Sequence, residues 1–188
     1  MTREMLRGSL AAAAIAFPGI GFSGEWVMGP AFKEGWIGDY TAAVTAGYMA
    51  LDNDSASDDS SLGLQFALNC PWFRPPEGMI RQQFNLNRFD HDGLELTSLE
   101  MNPRYFWDLP SNFTLGVGPG VGYVWTDPDE GKSPNLWSLQ AGVDLDYRQG
   151  VFYFGVGTRY QWTENKRVGL NDNGVDNWLT SVKVGVNF

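Results

Sequence analysis

Between Phe113 and Trp125 the sequence alternates with a period of two, and the two phases differ sharply in character. One phase is apolar or aromatic: Phe113, Leu115, Val117, Pro119, Val121, Tyr123 and Trp125. The other phase contains four glycines: Gly116, Gly118, Gly120 and Gly122. A period of two places successive side chains on opposite faces of a β-strand. Glycine weakens a strand in a packed soluble core, but small residues suit the crowded inside of a narrow barrel. The segment therefore predicts a barrel strand whose apolar face points outward.

The next three segments repeat this alternation and place their charges on one phase. They run from Trp137 to Tyr147, from Phe152 to Trp162 and from Trp178 to Phe188. Their charged residues fall on the phase opposite the apolar one: Asp144, Asp146, Arg159 and Lys183. A charged side chain on a sheet face must be solvated or paired. The alternation thus predicts a polar interior.

The first half of the chain is compatible with four more strands. We expect them at Tyr40–Leu51, Leu62–Phe73, Met79–Phe89 and Leu94–Trp107. The fourth changes phase near Thr97-Ser98, which predicts a β-bulge there. The inward residues of these strands would add Arg81, Glu100 and Arg104 to the interior charges. The sequence therefore predicts an all-β fold, an eight-stranded antiparallel up-and-down transmembrane β-barrel.

Composition supports the barrel and excludes several other classes. Aromatic residues make up 14% of the chain and glycine supplies 23 residues, yet the mean hydropathy is only −0.25. This combination suits an apolar outer wall around a polar interior. The net charge of −9 argues against nucleic acid as a partner, since phosphate binding needs clustered Lys and Arg. The single Cys70 excludes an internal disulfide and a cysteine-based zinc site.

The N-terminal region divides into two parts ahead of the barrel. Residues 1–23 have early arginines, a short apolar stretch and small residues near a cleavage site, which predicts a cleaved signal peptide. An ordinary buried N-terminal helix is the alternative. Residues 24–38 could form an interfacial segment, an additional strand or a plug. The even strand count favours a periplasmic or interfacial lead, and residues 39–188 then form the barrel.

Aromatic residues gather near both ends of the predicted strands. Those near the loop side are Trp125, Trp137, Trp162 and Trp178, and those near the turn side are Trp72, Trp107 and Tyr147. Amphipathic rings prefer the headgroup level of a bilayer, so the two sets predict aromatic girdles. The alternative is a soluble sandwich or lipocalin-like barrel, whose aromatic residues would point inward.

The longer connections are acidic and form one predicted rim. Together the four loop-side connections hold twelve acids and three bases. Four of the acids cluster in one loop and have the oxygens for a weak cation site: Asp52, Asp54, Asp58 and Asp59. This loop lacks the glycine and the terminal glutamate of a calcium-binding loop, so a solvated loop is the preferred interpretation. Divalent cations that bridge the rim to lipopolysaccharide phosphates are a hypothesis.

Several segments resemble the outer-membrane β-barrel family of small porin-like proteins. They are Asn102–Trp107, Phe113–Tyr123, Gly157–Tyr160 and Val182–Phe188. The resemblance implies a barrel over about residues 39–188, an outer-membrane location and contact with the barrel-assembly machinery. It also implies that Val184, Val186 and Phe188 carry the assembly signal, although Val186 replaces the usual second aromatic residue. The family hosts many activities, so the resemblance specifies architecture rather than function.

The residues indicate a protein without catalytic machinery or cofactor. His91 is the only histidine, it lies in a predicted loop, and no strand-borne serine accompanies it. An eight-stranded barrel is barely wide enough for its own side chains, which predicts a closed lumen with paired charges. We therefore expect a monomeric structural or surface protein of the outer membrane, with a lumen too narrow for a solute pore. The alternatives are a narrow channel for small apolar molecules and a soluble ligand-binding barrel.

Overall fold

The computed structural model describes residues 24–52, 57–170 and 173–188. The predicted signal peptide, residues 1–23, lies outside these ranges, and so does Asp54. The described strands are β1 Val27–Met28, β2 Thr41–Leu51, β3 Asp59–Asn69, β4 Phe73–Arg74, β5 Met79–His91, β6 Leu94–Asp108, β7 Phe113–Pro128, β8 Leu136–Gln149, β9 Phe152–Thr163 and β10 Asn177–Asn187. A 3-10 turn covers Pro30–Phe32. Within the described ranges, no helix is long and apolar enough to cross a membrane.

Eight of these strands form a closed antiparallel barrel in the order β10-β2-β3-β5-β6-β7-β8-β9. Strands β2 and β10, the first and last strands of the barrel, close it with a ladder that runs from Asn177↔Leu51 to Asn187↔Thr41. Closure continues one residue further, because Tyr40 and Phe188 exchange backbone hydrogen bonds of 3.1 and 3.0 Å. The predicted all-β, eight-stranded up-and-down barrel is confirmed.

The connections define two ends of the barrel. We call the end with residues 70–78, 109–112 and 150–151 the turn end, and the end with residues 92–93, 129–135 and 164–176 the loop end. The tightest loop-end connection is Asp92-Gly93, where both residues have positive φ, 49° and 73°. Two such residues form the turn whose twist matches a β-hairpin, so strand β5 leads directly into β6.

Side chains alternate between the interior and the outer wall along each barrel strand. In β9, for example, Tyr153, Gly155, Gly157 and Arg159 are buried, and Phe154 and Val156 are exposed. The same alternation runs through β6 without interruption, and its pairing with β5 is continuous from Leu94 to Phe106. The predicted bulge at Thr97-Ser98 is therefore wrong. Leu94 and Leu96 are apolar yet face inward. The apolar residues of β6 therefore change from the inward to the outward phase, although the strand itself is regular.

The lead runs outside the barrel and pairs with its first turn. Strand β1 pairs with β4 in a two-stranded ribbon, with Val27 opposite Arg74 and Met28 opposite Phe73. Strand β3 ends at Asn69 rather than at Phe73 as predicted. Pro71 has no N–H to donate to a ladder, so the barrel strand ends before it and Phe73-Arg74 pairs with the lead instead.

Candidate functional site

The interior of the barrel is the candidate site. Glu100 lies at the centre of a polar cluster in the half of the lumen nearer the loop end. This carboxylate is 1% exposed. Its Oε1 accepts hydrogen bonds from Arg159 at 2.7 Å, Ser98 at 2.8 Å and Asn87 at 3.0 Å. Its Oε2 accepts from Gln140 at 3.1 Å. A buried charge is tolerable when it is paired and its remaining lone pairs are satisfied, and this one meets both conditions.

A second cluster lies nearer the turn end and centres on Asp144. Lys183 Nζ lies 2.5 Å from Asp144 Oδ1, and Arg104 Nε donates to Asp144 Oδ2 at 3.1 Å. Next to this cluster, Asp146 accepts a hydrogen bond of 3.0 Å from the Tyr153 hydroxyl. Each of these five side chains is buried. Strands β6, β8, β9 and β10 thus contribute to one network that ties distant parts of the wall together.

Arg104 has a further role at the seam between β6 and β7. The ladder pairs Met101↔Val121 and Tyr105↔Val117 are present, but residues 102–104 have no ladder partner on β7. Pro103 and Pro119 face each other in this interval, and proline has no N–H to donate. Arg104 Nη1 donates to the carbonyl of Pro119 at 3.0 Å and also to that of Gly118. The guanidinium therefore supplies donors to β7 carbonyls in the interval where the ladder with β6 is interrupted.

A third cluster closes the turn end of the lumen around Asp39, which precedes β2. Asp39 accepts from Arg81 at 2.7 Å and from Arg148 at 2.6 and 2.7 Å. Burial alone would raise the pKa of this carboxyl, but the hydrogen bond from Arg148 and the charges of both arginines outweigh it. The pKa of Asp39 is consequently below its ordinary value.

Asp39→Asn should make the free energy of unfolding depend less steeply on pH in the acid range. A carboxyl whose pKa is lowered by folding stabilises the protein above its ordinary pKa, and this contribution is lost as the pH falls from that value through the lowered pKa of the folded state. We expect the native chain to lose stability more steeply than Asp39→Asn below about pH 4. Urea unfolding in detergent at a series of pH values measures the difference. Glu77→Gln, an exposed acid at the same end, is the control, and equal slopes for the native chain and Asp39→Asn would contradict the role of Asp39.

The loop end of the interior is apolar rather than polar, which the sequence analysis largely missed. A single cluster fills it with buried side chains: Met49, Phe89, Leu94, Leu96, Val124, Leu136, Val168, Val175 and Leu179. Val168 and Val175 come from the connection between β9 and β10, which folds back over the barrel. This connection pairs with the neighbouring one through Lys132 and Gly169. We call this cluster the apolar plug.

Between the plug and the turn end, the lumen has little free space. A cavity of about 30 Å³ lies among Gln65, Asn85, Glu100, Arg159 and Lys183. A volume of this size has room for about one or two water molecules. The polar clusters and the apolar plug together occupy much of the described part of the lumen.

The outer wall is apolar between two aromatic levels. On the loop side, Tyr123 contacts Trp125 and Trp137 at ring-centroid distances of 5.0 and 5.1 Å. Tyr160 contacts Trp162 and Trp178 in the same way, at 4.8 and 4.9 Å.

On the turn side, the rings again lie in pairs. Trp107 contacts Tyr105 at 4.7 Å, and Tyr147 contacts Phe113 at 5.0 Å. Trp72 lies apart from them, in the turn before β5, and contacts Phe32 of the lead at 6.4 Å. Apart from Trp72, the aromatic residues singled out in the sequence thus lie near the two ends of the barrel strands.

The terminal strand presents the three residues of the implied assembly signal to the outside. Val184, Val186 and Phe188 are 55%, 49% and 68% exposed. The Phe188 ring stacks on Tyr40 with a centroid distance of 5.8 Å. The residues that would carry this signal therefore also lie at the seam that closes the barrel.

The acids of the loop end bind different partners rather than a common centre. Asp52 accepts a hydrogen bond from Tyr160, and Asp58 accepts one from the Leu51 backbone at 3.1 Å. Asp59 lies 2.5 Å from His91 Nδ1. Among the described residues, no group of three or more His, Cys, Asp or Glu side chains has the geometry to hold a metal ion.

Comparisons with known proteins identify the fold. The attachment invasion locus protein Ail of Yersinia pestis matches with a TM-score of 0.52 and 13% identity, over 81% of this chain and 100% of that one. Its complex with the heparin analogue sucrose octasulfate gives 0.51 at 13% identity and the same coverage. The N-terminal β-barrel domain of Pseudomonas aeruginosa OprF gives 0.49 at 16% identity, over 81% and 100%. No family model and no curated protein matches the sequence. Ail is an outer-membrane protein, so the predicted resemblance to small outer-membrane barrels is confirmed at the level of the fold.

Proposed function

We propose that this chain is a non-enzymatic outer-membrane barrel with a structural or surface role and a closed lumen. The observation that carries the proposal is the inside-out distribution of its side chains. The outer wall exposes large apolar residues such as Leu62, Leu64 and Leu139, at 67%, 56% and 64%. The interior buries charges such as Glu100 and Lys183 in paired clusters. An apolar wall around a polar interior suits lipid outside, because soluble proteins rarely expose a continuous apolar band.

The orientation follows from the connections. Outer-membrane barrels have short periplasmic turns and longer external loops, so the turn end would face the periplasm and the acidic loop end the exterior. Export through a signal peptide at residues 1–23, and insertion by the barrel-assembly machinery through the Val184–Phe188 strand, belong to the same proposal. Its partners are membrane lipid and lipopolysaccharide, with divalent cations that bridge the acidic rim to lipopolysaccharide phosphates.

Heat-modifiability in a detergent gel tests the proposal. A folded outer-membrane barrel resists the detergent until it is boiled, because its closed ladder satisfies every strand without an edge. We expect the unboiled and boiled chains to migrate differently, together with a strand-dominated circular dichroism spectrum in detergent. A chain that dissolves without detergent and shows no shift in migration would favour the soluble ligand-binding barrel instead.

A narrow channel for small apolar molecules is the second candidate, and the apolar plug favours it. The plug gives the loop end an apolar lining, which a polar closed barrel does not require. Its side chains are tightly packed, with Phe89 and Val175 at 0% exposure. Passage would require the connection that carries Val168 and Val175 to move away. Planar-bilayer recordings and uptake of a small apolar dye into vesicles separate the two functions, since a stable open level or saturable uptake would contradict the closed lumen.

The acidic loop end gives no support for binding a sulfated polysaccharide. The similarity to Ail includes its complex with a heparin analogue, and such a ligand is strongly anionic. The loop end of this chain instead carries acids such as Asp127, Asp129 and Glu130. Like charges repel at short range, so the surface role that we propose does not include binding a soluble sulfated polysaccharide.

A further inference from the structure

The lead presents an apolar surface at the turn end of the barrel. Phe32, Met28 and Trp26 of the lead are 82%, 64% and 48% exposed, and Trp72 and Phe73 of the adjoining turn are 58% and 44% exposed. We call these five residues the apolar ridge. Large apolar side chains grouped in this way mark an interaction surface.

The ridge is held in place by an ordered backbone. The amide of Gly29 donates to the Trp72 carbonyl at 2.8 Å, in continuation of the β1–β4 pairing. At the other end of the lead, Asn69 donates from its amide to Gly38 at 2.6 Å and from its side chain to Ile37 at 3.0 Å. The ion pairs of Asp39 then fix the entry into β2. The lead is therefore a rigid attachment of the barrel.

The lead lies against the outside of the barrel rather than in its lumen. Trp36 and Ile37 line a cavity of about 240 Å³ together with Ile80. Ile80 has the same phase in β5 as the exposed Phe84, whereas Arg81 on the other phase is buried. Because Ile80 belongs to the outer wall, the lead covers the turn-end edge of that wall.

At its C-terminal end, the lead joins the aromatic residues of the wall. Tyr40, two residues after the end of the lead, stacks on Phe66 and Phe188 with centroid distances of 6.0 and 5.8 Å. The ribbon also has two different faces, since Met28 pairs with Phe73 on one and Val27 pairs with Arg74 on the other. A ribbon with an apolar pair on one face and a basic side chain on the other, next to aromatic residues of the wall, matches the boundary between lipid headgroups and acyl chains.

We propose that residues 26–37 form an interfacial foot, whose apolar ridge inserts into the headgroup region of the leaflet at the turn end. The occupant of this surface is the phospholipid bilayer itself. The inference rests on the proposed membrane function and adds a second, peripheral contact with lipid beyond the barrel wall. The foot would fix the depth and tilt of a barrel that otherwise contacts lipid through its strands alone.

Depth-dependent fluorescence quenching tests the foot. The chain carries one cysteine, buried Cys70, so Phe32→Cys in a Cys70→Ala background gives one reactive site for a bimane label. Val182→Cys, 46% exposed on the wall, and Leu170→Cys, 77% exposed at the loop end, are the matched controls. Each labelled protein is reconstituted into phosphatidylcholine–phosphatidylglycerol vesicles that contain lipids with nitroxides at different depths. Heat-modifiability confirms that each barrel is folded.

We expect the label at position 32 to be quenched most strongly by a nitroxide close to the headgroup. Its depth should be about 15 Å from the bilayer centre, which is half the thickness of the hydrocarbon core. Aqueous iodide should quench it much less than the label at position 170. A fluorescent non-natural residue at position 32 of the otherwise native chain gives the same measurement without changing Cys70.

Three outcomes would overturn the proposal, and they differ from one another. Iodide quenching equal to that at position 170, with lipid quenching only at position 182, would place the ridge in water, available to a periplasmic partner. Protection from both iodide and lipid nitroxides would show that a second copy of the chain covers it. An absence of lipid quenching at position 182 as well would contradict the membrane function itself.

Discussion

Replacing Glu100 with alanine should lower the free energy of unfolding by about 3–5 kcal/mol, because it leaves a buried charge without its partner. The Glu100 carboxylate is the acceptor for Arg159 at 2.7 Å, and both side chains are almost fully buried. Without it, the guanidinium remains in a lumen with room for about one or two waters. The amide and hydroxyl donors that surround Glu100 would lose their acceptor as well. Urea unfolding in detergent, followed by tryptophan fluorescence, measures the loss.

Glu95→Ala on the neighbouring part of β6 is the matched control. Glu95 pairs with Arg88 at 2.8 Å, but the Arg88 side chain is 60% exposed. Exposed ion pairs contribute about 0–1 kcal/mol, so this substitution should change stability little. Similar small losses for both variants would mean that water reaches Arg159 freely. That result would argue against a closed lumen and would support the channel function.

The sequence predicted the barrel most accurately where inward and outward residues differ most. In β7 and β9 most inward residues are glycine or polar and most outward residues are apolar, so the period of two can be interpreted only one way. Each strand assignment there agrees with the structure to within a few residues. The one interior charge of these two strands, Arg159 in β9, could also be named, because a charge on an apolar wall is costly.

Prediction was weaker where the interior itself is apolar. Leu94 and Leu96 face inward, and so do Val124 and Leu136, so the inward phase changes from polar to apolar near the loop end. Because hydrophobicity no longer distinguishes the two faces there, β6 gave the false signal of a bulge. The change of the inward residues from polar to apolar at the loop ends of several strands can be recognised in the sequence. The contributions of Val168 and Val175 were not, since loop residues have no periodicity to place them.

Periodicity could not predict ion pairs between residues that are distant in the sequence. Asp39 lies before the first barrel strand and Arg148 lies near the end of β8, 109 residues later. A period of two assigns a face to a residue but not a partner on a distant strand. The closed order of the strands brings both residues to the turn-end mouth. The same limit applies to the apolar ridge, because the attachment of the lead to the first turn depends on the ribbon of β1 and β4.

Val143→Arg should lower the free energy of unfolding in lipid by about 2–4 kcal/mol, which is the cost of an arginine on the lipid face near the bilayer midplane. Val143 lies in the middle of β8, is 43% exposed and pairs with Val117 and Thr158 on the neighbouring strands. In water, a charge at such an exposed position would be tolerated within about 0.5 kcal/mol. The two environments therefore give clearly different results for one substitution.

Leu170→Arg is the matched control for this prediction, because Leu170 is 77% exposed in the connection between β9 and β10. A loop residue beyond the aromatic girdle should meet water whether or not the barrel spans a membrane. Urea titrations in phospholipid vesicles give both free energies, and unfolding must be reversible for the comparison. A large loss for Val143→Arg alone would place the middle of the wall in hydrocarbon. Equal tolerance of both arginines would mean that water surrounds the wall, and the apolar surface would then need a protein partner to cover it.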